Sequence, residues 1–187
     1  SLDLAPAIHV IAQSEELGCT TYASCSNFDV EDMVSHALME VEAFALARIQ
    51  NGSPERIKPS EVIWPLDHGK LYDQQRYFHR SDFLIPARER IAFREIGNGT
   101  ARSWQELLDR FMVKGWRLII IPLSLSDEYG GGNDLHIIRS IVPGMVPMTF
   151  GFQQEPAGMK RIYAIAREFG NGKLSYQGLT KFPHPFA

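Results

Sequence analysis

Residues 19–50 read "CTTYASCSNFDVEDMVSHALMEVEAFALARIQ". The stretch changes period partway along, and that change decides the fold class. Residues 19–26 are β-branched, aromatic or small, the composition of a strand. Asn27-Phe28-Asp29 then punctuates the chain, and Asp29 predicts a helix N-cap with Glu31 and Asp32 favourable in the first turn. Beyond it, Met33, Ala37, Val41, Phe44 and Ala45 recur at helical spacing within a run rich in helix formers. "NGSPERIKPSE" (51–61) ends that helix as a surface loop.

Working outward, "AIHVIA" (7–12) predicts a strand before this unit. "TARSWQELLDRFMVKG" predicts a helix, with Ser103 as cap, Glu106 three residues on and Gly115 as stop. "WRLIIIPLSLS" (116–126) predicts a strand that Pro122 confines to a bulge or an edge. A glycine loop, "DEYGGGND", leads to "IIRSIVPGMVPMTFG" (137–151), read as a buried strand that stops at Pro143-Gly144. So short a connection predicts an antiparallel pair. "AGMKRIYAIAREFG" predicts a last helix, and "KLSYQGLTKFPHPFA" an extended tail. Residues 62–86 mix aromatics and charges and give no clear period. The fold class is α+β (mixed α/β), largely antiparallel sheet packed with helices.

The chain has 187 residues, 44% hydrophobic and 22% charged, with a net charge of −3. Those are ordinary values for a globular domain, and the charge gives no basic footprint for nucleic acid. No signal peptide and no membrane-length apolar run stands out, and the first residue is not Met, which reads as a processed or excised segment. Cys19 and Cys25, six apart in one strand, read as reduced thiols of a cytoplasmic protein. The triple glycine at 130–132 is followed by no Lys-Ser or Lys-Thr, so it is no P-loop. The histidines at 9, 36, 68, 79, 136 and 184 are scattered and show no zinc spacing.

Two charged residues stand among apolar neighbours. Glu40 lies between Ala37 and Phe44 on the expected apolar helix face, where a carboxylate needs a cation, a metal or a donor. Arg139 alternates with Ile137 and Ile141, either as the rim of an edge strand or as an anion-binding guanidinium.

Taken together these segments resemble the YcaO-domain family. "DVEDMVSHALMEVEAF" resembles the family helix Asp-Pro-…-Arg-Ala-Leu-x-Glu-x-x-Gln. "SWQELLDRFMVKGWRLIIIPLS" resembles the helix-strand unit that precedes the segment Val-x-Arg-Val-x-Val-Pro-Gly-Leu, which "IIRSIVPGMVPMTFG" resembles in turn. "FPHPFA" resembles the proline-rich carboxyl terminus of the azoline-forming branch. Ala43 stands where the family usually has Gln, and Ala187 where it ends in Pro. The Glu-x-x-Glu motif of the family's first half does not occur, so the resemblance covers the carboxyl-terminal half of the domain.

The resemblance implies a cyclodehydratase that uses ATP and Mg²⁺. A Cys, Ser or Thr side chain of a ribosomally made peptide attacks the preceding carbonyl, the amide oxygen is phosphorylated, and elimination leaves a thiazoline or oxazoline. It implies that Glu40 helps hold magnesium-ATP, that Arg139 faces phosphate or the oxyanion, and that Pro183, His184 and Pro185 reach the active site. The implied division is a body (1–181) and a tail (182–187). The implied partners are the amino-terminal half of the domain, a peptide substrate and a leader-peptide-binding protein, in an oligomer. Nucleic acid and membrane are not among them. The alternatives are a module that binds a partner or leader peptide without turnover, and a related amide-modifying activity such as thioamidation or a ribosomal-protein modification pathway.

Overall fold

The computed structural model of the chain describes residues 4–85, 90–123, 137–168, 170 and 172–185, leaving aside the side chain of Phe83. The fold is mixed α+β. Strands β1 (Ala7–Ser14) and β2 (Cys19–Ser26) form an antiparallel hairpin in continuous register, from Ala7 opposite Ser26 to Ser14 opposite Cys19. Gly18 closes the turn with φ +59, a left-handed backbone that favours glycine, and a Cβ there would collide with the Gln75 side chain.

Helix α1 (Val30–Asn51) starts as expected, with the Asp29 carboxylate accepting from the Glu31 and Asp32 N–H groups at 2.9 and 3.1 Å. It packs on both strands of the hairpin through Met33, Ala37, Val41 and Arg48. This inward stripe is narrow, and Glu40 falls outside it. The expectation that Glu40 lies on the apolar face is therefore corrected: its side chain is exposed. Ala37 can be buried together with Val41 or with Glu40 one residue earlier, and the helix turns so that valine rather than carboxylate meets the hairpin.

The segment without a clear period, 62–86, holds α2 (Pro65–Tyr72) and a 3₁₀ segment (Gln75–Leu84). Asp67 caps α2 by accepting from the Ile63 and Trp64 N–H groups at 3.2 and 2.9 Å, and those bonds hold its carboxyl below the usual range. Helix α3 (Trp104–Val113) has Ser103 as its cap, with Glu106 reaching back to the Arg102 N–H at 2.8 Å. Helix α4 spans Lys160–Glu168.

Strands β3 (Ile119–Leu123) and β4 (Ile137–Ile141) pair antiparallel, as the short connection implied. Among the described residues they form a separate two-stranded sheet, so both are edge strands, where a proline is tolerated. Every residue of this sheet is exposed, including Ile120, Ile138 and Arg139. The expectation of a buried strand at 137–141 is corrected accordingly. Arg139 lies opposite Ile121 on an exposed ribbon and not in the core. The glycine loop at 127–134 lies outside the described residues. Among the described residues no helix is long and apolar enough to cross a membrane.

The core gathers elsewhere. Tyr22 from β2, Val62, and Leu71 and Tyr72 from α2 are buried together, with Ile11, Ile57, Tyr77 and Phe182 packed around them. Phe182 belongs to the carboxyl-terminal segment, so the chain's end completes its core.

Candidate functional site

The segment Phe182–Pro185 lies in a cleft built by α2, the 3₁₀ segment and the loop after β4. Local sequence explains the wall. His68, Leu71 and Tyr72 sit three and four residues apart, so one face of α2 carries all three, and all are buried. Phe182 meets the edges of Tyr72 and Tyr77, with ring centroids 5.8 and 5.2 Å apart, and the Arg80 guanidinium lies 3.4 Å from its ring centre. Pro183 is buried, and its carbonyl accepts from the Tyr72 hydroxyl at 2.9 Å. The proline lacks an N–H, so this extended segment carries one donor fewer to satisfy.

Two histidines that are distant in sequence stack at the centre. The His68 and His184 rings are 4.3 Å apart, and both meet Phe150 edge-on with centroids 5.5 Å away. His68 Nδ1 donates to the His184 carbonyl at 2.7 Å, and His68 Nε2 accepts from the Gly151 N–H at 2.9 Å. These two partners fix a neutral tautomer. His184 Nε2 donates to the Thr149 carbonyl at 2.7 Å. Gly151 has φ +102, and a Cβ there would lie 3.0 Å from Gln154 and 3.4 Å from the Ile63 carbonyl, so only glycine passes comfortably. The Phe152 N–H donates to the Val62 carbonyl at 2.8 Å, which fastens the same loop at the entry to α2.

Burial pushes the His68 imidazole below its ordinary value of 6.5 and raises the Tyr72 phenol to about 12. A proton on His68 Nε2 would face the Gly151 N–H, donor against donor. The unfolded chain takes up that proton first, so His68 contributes stability above about pH 6.5 that is lost as pH falls through its folded-state value. His9, also lowered by burial, adds to the same trend. The wild-type melting temperature is therefore expected to fall more steeply between pH 7.5 and 5.5 than that of His68→Asn, in a series of thermal melts. Parallel curves would remove His68 as the acid-sensitive contact.

Of the residues singled out from sequence, Pro183, His184 and Pro185 come together in this cleft, and Pro185 also borders a cavity shared with Tyr22 and Tyr72. Glu40 and Arg139 are exposed, on α1 and β4, and neither makes a hydrogen bond or ion pair among the described residues. Among the described residues no cluster of three or more His, Cys, Asp or Glu could hold a metal. Sequence reasoning missed His68, Tyr72 and Gly151. The spacing of His68, Leu71 and Tyr72 could have revealed the first two. No family model matches the chain, and no curated protein matches it.

Proposed function

We propose that the chain is the carboxyl-terminal portion of an ATP-dependent cyclodehydratase of the YcaO kind, forming azolines in a ribosomally made peptide together with a companion amino-terminal half. The observation that carries this reading is the meeting of two segments. The Thr149–Gly151 end of the Arg-x-x-x-Pro-Gly stretch and the Phe-Pro-His-Pro tail are bonded to one another through His184, and to α2 through His68. Both segments carry the resemblance, and nothing in their sequence separation requires them to touch.

The exposed ribbon supports the need for a companion. A two-stranded sheet is marginal alone in water. Here Ile119, Ile120, Ile121, Leu123, Ile137, Ile138 and Ile141 are all 40% exposed or more. That row is an apolar surface of the kind that partners cover. The outer side of α1, with Leu38, Met39, Leu46 and Ile49, is similarly exposed.

In this assembly Glu40 contributes one oxygen ligand toward magnesium-ATP. One exposed carboxylate cannot make the whole site, and Mg²⁺ commonly takes only one or two carboxylates beside phosphate and water. ATP supplies the phosphoryl group that turns the amide oxygen into a leaving group. Arg139, exposed and free of ion pairs among the described residues, faces the developing anion. Pro183, His184 and Pro185 shape the cleft's floor, with His184 as a positioning residue held at Thr149.

Co-expression with an amino-terminal half carrying the Glu-x-x-Glu motif tests the reading. A Cys- or Ser-containing precursor peptide is expected to lose one water mass in the presence of magnesium-ATP. Glu40→Gln keeps helix propensity and is expected to lower magnesium-dependent ATP turnover about tenfold or more, the loss expected for one charged contact. Unchanged ATP kinetics would return Glu40 to a surface role. The exposed apolar surface also fits the non-catalytic alternative. A stable complex with companion and peptide, with no water loss, would select it.

A further inference from the structure

The two strands of the first hairpin are enclosed differently. Cys19–Ala23 of β2 are buried, whereas no residue of β1 is fully buried. Among the described residues no strand pairs with the outer side of β1. An open edge of this kind is usually blunted by charge, proline, a bulge or shortness. β1 uses none of these. It runs for eight residues, AIHVIAQS, without Asp, Glu, Lys, Arg or Pro, and its register against β2 is continuous.

A helix flank stands beside this edge. α1 lies over both strands. Its Phe44 and Ala47 border the recess where β2 meets α2. The opposite flank of α1 therefore lies toward β1. Val34, Leu38, Ala45 and Ile49 line that flank at helical spacing, next to the buried Val41. Val34 and Ala45 are half-buried, while Leu38 and Ile49 are 53% and 60% exposed. An unpaired strand edge and an apolar helix flank thus face the same side of the molecule.

We propose that this side joins two copies of the chain, with β1 pairing antiparallel with β1 of the second copy about a two-fold axis. Strands in a sheet lie about 4.8 Å apart, so helices centred over adjoining hairpins stand two spacings, roughly 9.6 Å, apart. Helices pack at about 8–10 Å. An axis at the centre of the α1 row brings Val34 to Ile49 of the second copy and Leu38 to its Ala45, so the row is its own complement. β1 carries no charge to oppose itself across the pair. Glu42 lies on the solvent side of the row and stays hydrated. A lone strand from another protein would pair with the edge but leave Leu38 and Ile49 uncovered. The eight residues of β1 and about as many from α1 fall below the roughly 20–30 a side of a standard interface, which implies a reversible dimer at micromolar concentration. Glu40 lies on the other flank of α1, and the proposal does not depend on the cyclodehydratase reading.

Sedimentation velocity of the full chain between about 1 and 100 µM tests this. The mass is expected to rise from 21.1 kDa to twice that. Leu38→Glu combined with Ile49→Glu is expected to hold the chain at the single mass throughout, because the dimer would bury carboxylates without partners. Both side chains are exposed in the single chain, so the double variant is expected to keep its melting temperature at the dilute end. Ile120→Lys combined with Ile138→Lys, on the β3–β4 ribbon, is expected to leave the doubling in place. Hydrogen exchange at the outward amides of β1 is expected to slow as concentration rises. A chain that stays single at about 100 µM, doubling that survives Leu38→Glu with Ile49→Glu, or doubling lost in the ribbon variant would overturn the proposal. Protection of β1 that appears only when an amino-terminal half is added would assign the edge to that half and overturn it as well.

Discussion

His68→Ala is expected to lower the melting temperature by about 10 °C, the largest loss for any single truncation in the tail cleft. The ring is fully buried. Removing it leaves the Gly151 N–H and the His184 carbonyl without their partners, each a cost of about 1–3 kcal/mol when buried. It also opens a hole between His184 and Phe150, which relax only in part. A total of about 3–5 kcal/mol, at roughly 2–4 °C per kcal/mol for a chain of this size, gives that shift. His68→Asn restores a donor and part of the volume and is expected to recover about half of the loss, by the same weights. A shift below about 2 °C for His68→Ala would mean that the tail contributes nothing to the folded core.

Deleting residues 182–187 has two expected consequences of different kinds. The first is spectroscopic and needs no partner. Burial holds the Tyr72 phenol at about 12 against an ordinary value of 10.0. The tail supplies part of that burial through Phe182, and it also supplies the acceptor for the Tyr72 hydroxyl at Pro183. Deletion admits water, and the Tyr72 ionisation is expected to move back toward 10.0 in an absorbance titration. The second concerns the proposed activity. In the reconstituted assembly the deletion is expected to stop cyclisation while ATP binding is retained, because the proposed reading assigns the tail to peptide positioning and Glu40, on another element, to ATP. A deletion variant that cyclises its peptide at the normal rate would remove the tail from the site. An unshifted Tyr72 would remove it from the core.

The exposed ribbon and the docked tail are two sides of one property. The chain places its aromatic core under the terminus, around Tyr22, Tyr72 and Phe182, and leaves its most β-branched strands uncovered. Bulk hydrophobicity would place Ile119–Ile121 and Ile137–Ile141 at the centre of the fold. They lie at its surface because two strands supply one another with hydrogen bonds but not with a covering layer. The proposed companion half supplies that layer, and covering β3 and β4 would also bring Arg139 from solvent to an interface.

Local signals in the sequence determined the elements. Asp29 and Ser103 fixed where two helices begin, because a carboxylate or hydroxyl at the cap satisfies N–H groups of its own first turn. The β-branched runs marked the strands, and the short connection implied that β3 and β4 pair antiparallel. Such contacts involve near neighbours, and the sequence carries them whole. Which face of α1 turns inward was not local. Met33, Ala37, Val41 and Arg48 were selected by the shape of the hairpin they meet, and Glu40 was left outside. Nor was the partner of His184. Its ring meets Thr149 and His68, which lie 35 and 116 residues away, and no period or motif links them. Only the tertiary fold brings them together, since a buried imidazole must find its donor and acceptor wherever the backbone offers them.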